Sequence, residues 1–266
     1  MTADASKSSS TGGAPGVSVV VPVKNEADNI APLIGEIRAA LSGLAGWAPY
    51  EIVYVDDGSD DATPDALARE KQSCPELTVI RHAASAGQSA AIRTGVKAAR
   101  AAVIVTLDGD GQNDPADIPA LLAAYAETRD RERLMIAGHR AKRRDTLLKR
   151  LSSRIANGVR AGLLGDATPD TGCGLKVFPR QAFLDLPAFD HMHRFLPALM
   201  IRGGGRVVSV VVNHRPRERG ASNYGLFDRL GVGIVDLFGV LWLKRRVLRA
   251  QRDSEQTPGE PGDSGA

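Results

Sequence analysis

The alternation of short apolar runs with helical segments constrains the fold of this chain more than any other feature. Runs rich in β-branched residues predict strands at 17–22, 50–55, 77–80, 102–107, 134–138 and 207–212. Apolar residues spaced three and four apart predict helices between the strands, at 29–41, 62–71, 89–101 and 115–128. This order is typical of an α/β fold with a mostly parallel open sheet and helices on both faces.

Polar turns follow three of the predicted strands, at 23–26, 56–59 and 108–110. Ligands of open parallel sheets bind outside the carboxyl ends of the strands, so these turns are expected to line one site. Asp108 and Asp110 are two residues apart and point to the same side of an extended chain. Two carboxylates aimed at one point favour a hard cation such as Mg²⁺ or Mn²⁺, which enzymes often share with substrate phosphates. The sequence therefore predicts a metal and phosphate site at this edge.

Composition and missing motifs argue against several other classes. The two cysteines, Cys74 and Cys173, are far apart with no CxxC, which disfavours a disulfide framework or zinc site and fits a reducing compartment. A formal charge of +3 gives no reason to expect a nucleic-acid partner. No phosphate-binding P-loop, dinucleotide Gly-x-Gly-x-x-Gly or nucleophile-elbow Gly-x-Ser-x-Gly motif occurs in the chain.

The two ends of the chain differ in texture from its middle. Residues 1–16 are rich in small and polar residues without the apolar core of a secretory signal, and residues 251–266 are polar with Pro and Gly, so both are expected to be disordered. Residues 17–229 are expected to form the main domain. The segment 230–250 is apolar and then basic, and Asp236 interrupts it. We expect a helix there, which either packs on the core or lies at an anionic membrane surface.

Eight motifs follow one another between residues 17 and 245. They are VVVPVKNE at 19–26, VDDGSDDAT at 55–63, GQSAAIRTG at 87–95, DGDGQNDP at 108–115, SRIAN at 153–157, DTGCGLK at 170–176, HRFLPAL at 193–199 and HRPRERGASNY at 214–224. Together they resemble the inverting family 2 glycosyltransferases, in the branch with dolichol-phosphate mannose synthases and bacterial undecaprenyl-phosphate sugar transferases. The resemblance implies a GT-A type fold over 17–229.

The same resemblance implies a nucleotide-sugar site. Its members would be Pro22, Val23, Glu26, Asp56, Asp57, Gly58, Ser59, Gln88, Asp108 and Gln112. Asp56 matches the aspartate that contacts the base. Asp108 and Asp110 match the metal-binding pair, with Gln112 as a further ligand or orienter, and the ion would be Mg²⁺ or Mn²⁺. The donor would be a UDP- or GDP-linked sugar.

On the acceptor side, the resemblance implies catalytic roles for Asp170, Asp110, Arg215 and Arg217, and an acceptor-phosphate site formed by Arg140, Arg215 and Ser222. The implied reaction moves one sugar to a polyprenyl phosphate with inversion, at the cytoplasmic face of the inner membrane, for envelope or lipid glycan synthesis. A phosphate is already ionised at neutral pH, so Asp170 is expected to orient the acceptor or stabilise positive charge on the sugar.

Two other functions stay open from the sequence. One is a glycosyltransferase with a saccharide or small-molecule acceptor, and the other is a non-catalytic nucleotide-sugar-binding protein at a membrane. The chain also departs from the family in one place, because Ser85 stands where the family usually has asparagine two residues before Gly87. The Gln-x-x-Arg-Trp motif of processive polysaccharide synthases is absent.

Overall fold

A computed structural model describes residues 14, 16–140, 162, 164–166, 168–216 and 226–246, with the side chains of 226–234 left out. The strands in this part are β1 (Val17–Val23), β2 (Tyr50–Asp56), β3 (Leu77–Arg81), β4 (Val103–Thr106), β5 (Leu134–His139), β6 (Lys176–Pro179) and β7 (Arg206–Val211). The helices are α1 (Ala27–Leu41), α2 (Thr63–Ser73), α3 (Gln88–Ala98), α4 (Ile118–Glu127), α5 (Arg180–Leu184), α6 (Leu196–Arg202) and α7 (Leu226–Arg245).

The strands form one sheet in the order β3-β2-β1-β4-β6-β5-β7. All neighbouring pairs are parallel except those of β6, which runs antiparallel to β4 and β5. The predicted α/β class with a mostly parallel sheet is confirmed. The sequence patterns did not predict β6, a four-residue strand next to a Gly-rich turn. Because β6 is antiparallel, its first residue, Lys176, pairs with Thr106 at the carboxyl end of β4.

Helices cover both faces of the sheet and form two apolar layers. One layer packs α1, α2 and α4 on the sheet, and the other packs α3, α5, α6 and part of α7. In β1, Val19 and Val21 face the first layer and Val20 faces the second, so all seven residues of the strand are buried. Burial on both faces explains why a central parallel strand reads as an unbroken apolar run. The strand ends then project polar turns at one edge.

The C-terminal apolar segment forms most of α7, a helix of 20 residues. None of the helices in the described ranges is long and apolar enough to cross a membrane. Cys74 and Cys173 are buried free thiols. This agrees with the sequence prediction, which disfavoured a disulfide framework. The expected disordered ends, 1–16 and 251–266, lie almost entirely outside the described residues.

Candidate functional site

A cavity of about 350 Å³ lies at the carboxyl ends of β1 and β4. Its wall is formed by the strand ends at Pro22 and 106–108, by the first turn of α3, and by the segments 171–176 and 190–196. The antiparallel strand β6 brings the 171–176 segment there, beside Asp108. The structure thus collects residues from five motifs that lie far apart in the sequence, at the strand edge where ligands of open sheets bind.

Asp108 and Asp110 form an acidic pair, in which Asp108 lines this cavity and Asp110 lines a neighbouring one. The Asp108 Oδ1 atom accepts a 2.8 Å hydrogen bond from Gln88 Nε2, and the Asp110 Oδ1 atom accepts one of 3.1 Å from the Gln112 backbone N–H. Burial and the neighbouring Asp110 carboxylate raise the pKa of Asp108 to about 6, although the cations Lys176 and Arg140 oppose this. Negative charge at Asp108 is therefore incompletely compensated by the protein.

The donor set fits a divalent cation that also contacts a substrate. The described residues contain no cluster of three or more His, Cys, Asp or Glu side chains that could hold a metal ion. Mg²⁺ is usually bound by one or two carboxylates together with waters and substrate phosphates, so the Asp108–Asp110 pair suits an ion brought in with a diphosphate. Gln112 closes the turn through its backbone, and its predicted role as a metal ligand stays a prediction.

Asp56 lies in a buried turn at the end of β2. Its Oδ1 atom accepts a 2.9 Å hydrogen bond from the Ser59 backbone N–H. Its buried Oδ2 atom has no hydrogen-bond partner among the described residues, and Arg81 Nε lies 3.2 Å away. Gly58 has φ +68°, and a Cβ there would collide with the backbone of 84–85, so only glycine fits this turn. The turn therefore presents one acceptor oxygen beside one cation.

The carboxylate of Asp57 makes four contacts with neighbouring groups of the protein. It accepts hydrogen bonds from the Ser85 hydroxyl (2.8 Å) and from the backbone N–H groups of Ala86 (2.8 Å) and Gly87 (2.9 Å), and it pairs with His82 Nδ1 (2.7 Å). Burial opposes ionisation, but these bonds lower the pKa of Asp57 overall. This carboxylate positions the loop before α3, and its predicted place in the nucleotide-sugar site stays a prediction. Ser85 supplies a bond at the position where the family usually has asparagine.

The loops after β1 and β2 are fastened to each other. The Asn25 N–H donates to Ser59 Oγ at 3.0 Å, and the Glu26 N–H donates to Thr63 Oγ1 at 2.9 Å. Glu26 directly precedes α1, and its carboxylate accepts a 2.6 Å bond from Asn29 Nδ2. Val23 is buried at the end of β1. Of the predicted nucleotide-sugar residues, Pro22, Gln88 and Asp108 line the cavity itself.

Asp170 and Arg140 form a bidentate ion pair. Arg140 Nε lies 2.6 Å from Asp170 Oδ2, and Nη2 lies 2.9 Å from Oδ1, with side chains only 11% and 7% exposed. Burial would lower the pKa of Arg140, but the bond to Asp170 raises it above its ordinary value. The carboxylate of Asp170 is thus committed to holding a permanent cation beside Asp108. This pair gives Asp170 a positioning role toward Arg140, and its predicted catalytic role stays a prediction.

Arg215 does not reach the cavity described above. Its guanidinium contacts Glu36 at 2.7 Å and Asp114 at 2.6 Å, and its backbone N–H donates to the Gln112 carbonyl at 3.0 Å. These contacts fasten the turn after Asp110 to α1. The Arg215 side chain keeps 37% exposure and lines a neighbouring cavity with Asp110, so its predicted contact with a phosphate stays a prediction. Arg217 and Ser222 lie outside the described residues, as does the motif at 153–157.

Two cavity residues were missed by sequence reasoning. Lys176 is buried, its ammonium group donates to the Cys173 carbonyl, and burial lowers its pKa. The sequence gives one indication of this site, because Lys176 begins a short apolar run two residues after Gly174. The second residue is His193, which lines the cavity and contacts Ser89 across 104 positions of sequence. Only the folded structure brings that pair together.

Comparison with known proteins gives consistent matches. The family model described as "Glycosyl transferase family 2" matches residues 18–186. The dodecaprenyl-phosphate galacturonate synthase of Rhizobium johnstonii is 34% identical over 233 residues, covering 86% of this chain and 67% of that protein. The undecaprenyl-phosphate 4-deoxy-4-formamido-L-arabinose transferase of Edwardsiella ictaluri is 34% identical over 221 residues, covering 81% and 65%. The chain thus spans about two thirds of the length of these curated relatives.

Solved structures share the fold at low identity. Glucosyl-3-phosphoglycerate synthase from Mycobacterium tuberculosis, in complex with UDP, superposes with a TM-score of 0.61 at 18% identity, covering 86% of this chain and 80% of that chain. A mannosyltransferase from Pyrobaculum calidifontis, in complex with GDP-mannose and Mn²⁺, gives 0.62 at 20% identity, covering 89% and 66%. These similarities support the same overall architecture.

Proposed function

Because the chain belongs to glycosyl transferase family 2, we propose that it transfers one sugar from a nucleotide-diphospho-sugar to a polyprenyl phosphate. The observation that carries this proposal is the cavity at the sheet edge, where Asp108 lies with the buried Lys176 and the charge of Arg140 also acts on Asp108. Carboxylates suit a diphosphate-bound metal ion, and the fixed cations suit phosphate oxygens. The acceptor class follows from two relatives named for lipid-phosphate sugar transfer.

The turn at Asp56 favours a uridine donor over a guanosine donor. One carboxylate oxygen accepts the Ser59 N–H, and the other is buried, without a hydrogen bond and next to the Arg81 guanidinium, so the second oxygen has the larger free acceptor capacity. The pairing edge of uracil has one N–H between two carbonyls, so it needs one acceptor flanked by donors. Guanine presents two N–H donors side by side and would need both carboxylate oxygens. We therefore infer that the donor is UDP-linked.

The acidic and basic side chains at and around the cavity suit different roles in the proposed reaction. Asp108 and Asp110 would hold Mg²⁺ or Mn²⁺, which when bound acts as a Lewis acid and neutralises the departing diphosphate. Arg140 and Lys176 add fixed positive charge at the same place, and Asp170 keeps Arg140 in position. An acceptor phosphate oxygen attacks the anomeric carbon opposite the leaving group, which inverts its configuration. A phosphate monoester is largely ionised at neutral pH, so no strong base is needed.

The outer face of α7 supports a place at a membrane surface. Val235, Phe238 and Trp242 are 71%, 66% and 60% exposed and recur at helical spacing, so they form one apolar stripe. Lys244 and Arg245 end the same helix. An apolar stripe beside basic residues suits the interface of an anionic bilayer. We propose a peripheral location at the cytoplasmic face of the inner membrane, where a polyprenyl phosphate would be within reach.

A panel of radiolabelled UDP- and GDP-sugars, incubated with undecaprenyl phosphate and Mg²⁺ or Mn²⁺, tests the proposal. Label that enters the lipid phase only with metal, from a UDP-sugar and not after Asp110→Ala, is the expected result. Transfer to a soluble saccharide instead would favour the alternative acceptor. Donor binding with no turnover of any kind would favour the non-catalytic alternative.

A further inference from the structure

The first turn of α3 places two neighbouring side chains at the cavity. Gln88 donates to Asp108, as described above, and Ser89 contacts His193. The Ser89 side chain is buried, and its Oγ atom lies 2.7 Å from His193 Nδ1 and accepts a 3.2 Å hydrogen bond from the His193 backbone N–H. The Ser89 hydroxyl therefore contacts His193 at two points, the backbone N–H and the ring nitrogen Nδ1.

This double contact determines which ring nitrogen of His193 carries the proton. The Ser89 oxygen already accepts the backbone N–H, and its hydroxyl proton needs an acceptor of its own. Within the described residues, the only acceptor at hydrogen-bond distance is His193 Nδ1. If the hydroxyl donates to Nδ1, the proton of a neutral imidazole must sit on Nε2. The Nε2 atom is then a hydrogen-bond donor, and it has no partner among the described residues.

The surroundings favour a neutral ring at His193. Burial and the positive charges of Arg194, Lys176 and His191 lower its pKa to about 3. The ring therefore stays uncharged at physiological pH, and the cavity gains a hydrogen-bond donor without gaining another positive charge. A neutral donor suits an oxygen that must be held but does not develop a large charge.

We propose that His193 is a substrate-binding residue whose Nε2–H donates to an oxygen of the bound nucleotide-sugar, with Ser89 fixing the tautomer. This inference rests on the proposed function, because the nucleotide-sugar supplies the acceptor oxygen. The oxygen belongs either to the glycosyl group or to the diphosphate. Both oxygens are hydrogen-bond acceptors, and a comparison of binding to UDP and to a UDP-sugar distinguishes them.

The tautomer can be measured without any activity. Long-range ¹⁵N–¹H spectra of protein labelled at its five histidines separate a protonated Nε2 from a protonated Nδ1, and His193→Gln identifies the signal. We expect a neutral His193 with the proton on Nε2 in the wild type, and a mixed population in Ser89→Ala. A proton on Nδ1, or a charged ring at pH 7, would overturn the proposal.

Binding is tested with UDP and UDP-galacturonate as probes, in the presence of Mn²⁺. The His193→Gln amide nitrogen can replace the Nε2 donor, whereas His193→Asn places its amide near Nδ1 and leaves Nε2 unreplaced. One neutral hydrogen bond is worth about 1 kcal/mol, so we expect a roughly five-fold weaker Kd for His193→Asn and less than about two-fold for His193→Gln. Weakening of both probes assigns the oxygen to the diphosphate, and weakening of UDP-galacturonate alone assigns it to the glycosyl group.

Equal affinities for wild type, His193→Asn and His193→Gln would contradict the binding role. If the wild type binds neither probe while it binds a GDP-sugar, the uridine assignment fails, and the same variants are then compared with GDP and that GDP-sugar. The spectra decide the tautomer in either case, so failure of the proposed function and failure of this inference give different results.

Discussion

Replacing Asp108 with asparagine should stabilise the metal-free protein while it removes metal binding. Burial of the Asp108 carboxylate and repulsion from the neighbouring Asp110 carboxylate together raise its pKa to about 6 from the ordinary 3.8. An asparagine amide oxygen can still accept the bond from Gln88, so the substitution removes charge with little change of shape. Stability given up for a charged binding site is a common cost of function.

The size of the effect follows from the pKa difference. A shift of about 2 units corresponds to about 3 kcal/mol of free energy that the ionised folded state loses relative to the unfolded chain. Asp108 keeps some exposure to solvent, which screens its charge, so we expect Asp108→Asn to gain about 1–3 kcal/mol at pH 8. Between pH 3.8 and 6 the folded state binds more protons than the unfolded state, so wild-type stability falls as the pH rises through this window.

Urea denaturation with a chelator, at pH 4, 6 and 8, measures this difference. The advantage of Asp108→Asn should be near zero at pH 4 and complete at pH 8. Asp65→Asn, at an exposed position in the first turn of α2, removes the same charge outside the site and serves as the control. An Asp108→Asn variant that is no more stable than the wild type at pH 8, or whose gain does not depend on pH, would refute the reasoning.

Three further predictions concern other parts of the site. Asp57→Ala removes four hydrogen-bonding contacts and should lower the unfolding free energy, measured by urea denaturation at pH 7, by about 3 kcal/mol. The loss should be smaller in acid, because the wild-type carboxyl group is then protonated and has already lost part of its stabilising effect. Unchanged stability would contradict the structural role of Asp57. Asp170→Asn leaves Arg140 buried without its counter-charge and should cost about 3 kcal/mol in the same assay, whereas a neutral result would show the pair to be dispensable. The double change Phe238→Ser and Trp242→Ser should weaken sedimentation with phosphatidylglycerol vesicles about ten-fold without changing the thermal midpoint, since both side chains are exposed; equal sedimentation would exclude this face as the contact.

Periodicity predicted the elements that have a long enough pattern. The continuous apolar run of β1 and the spacing of α1 both correspond to buried faces, and the structure has both elements. The strand β6 has four residues and begins with a buried lysine, so no period could reveal it. Its antiparallel direction matters most for the site, because it places Lys176 and Gly174 against Asp108.

The motifs indicated which residues gather at the strand ends, but they could not indicate what each side chain contacts there. Asp56 and Asp57 are adjacent and chemically identical, yet one keeps an oxygen without a hydrogen bond, beside Arg81, and the other is saturated by the loop before α3. Arg140 and Asp170 are 30 residues apart, and Arg215 and Glu36 are 179 apart. Such pairings depend on the tertiary structure, which a local pattern does not encode.

The central claim is that the Asp108 cavity transfers a sugar from a UDP-linked donor to a lipid phosphate. The most direct measurement incubates wild type and Asp108→Asn with a radiolabelled UDP-sugar, undecaprenyl phosphate and Mn²⁺, and quantifies lipid-linked label and released UDP together. We expect equal amounts of both products from the wild type and neither from the folded variant. Transfer by Asp108→Asn at the wild-type rate, or UDP release without label in the lipid, would contradict the claim.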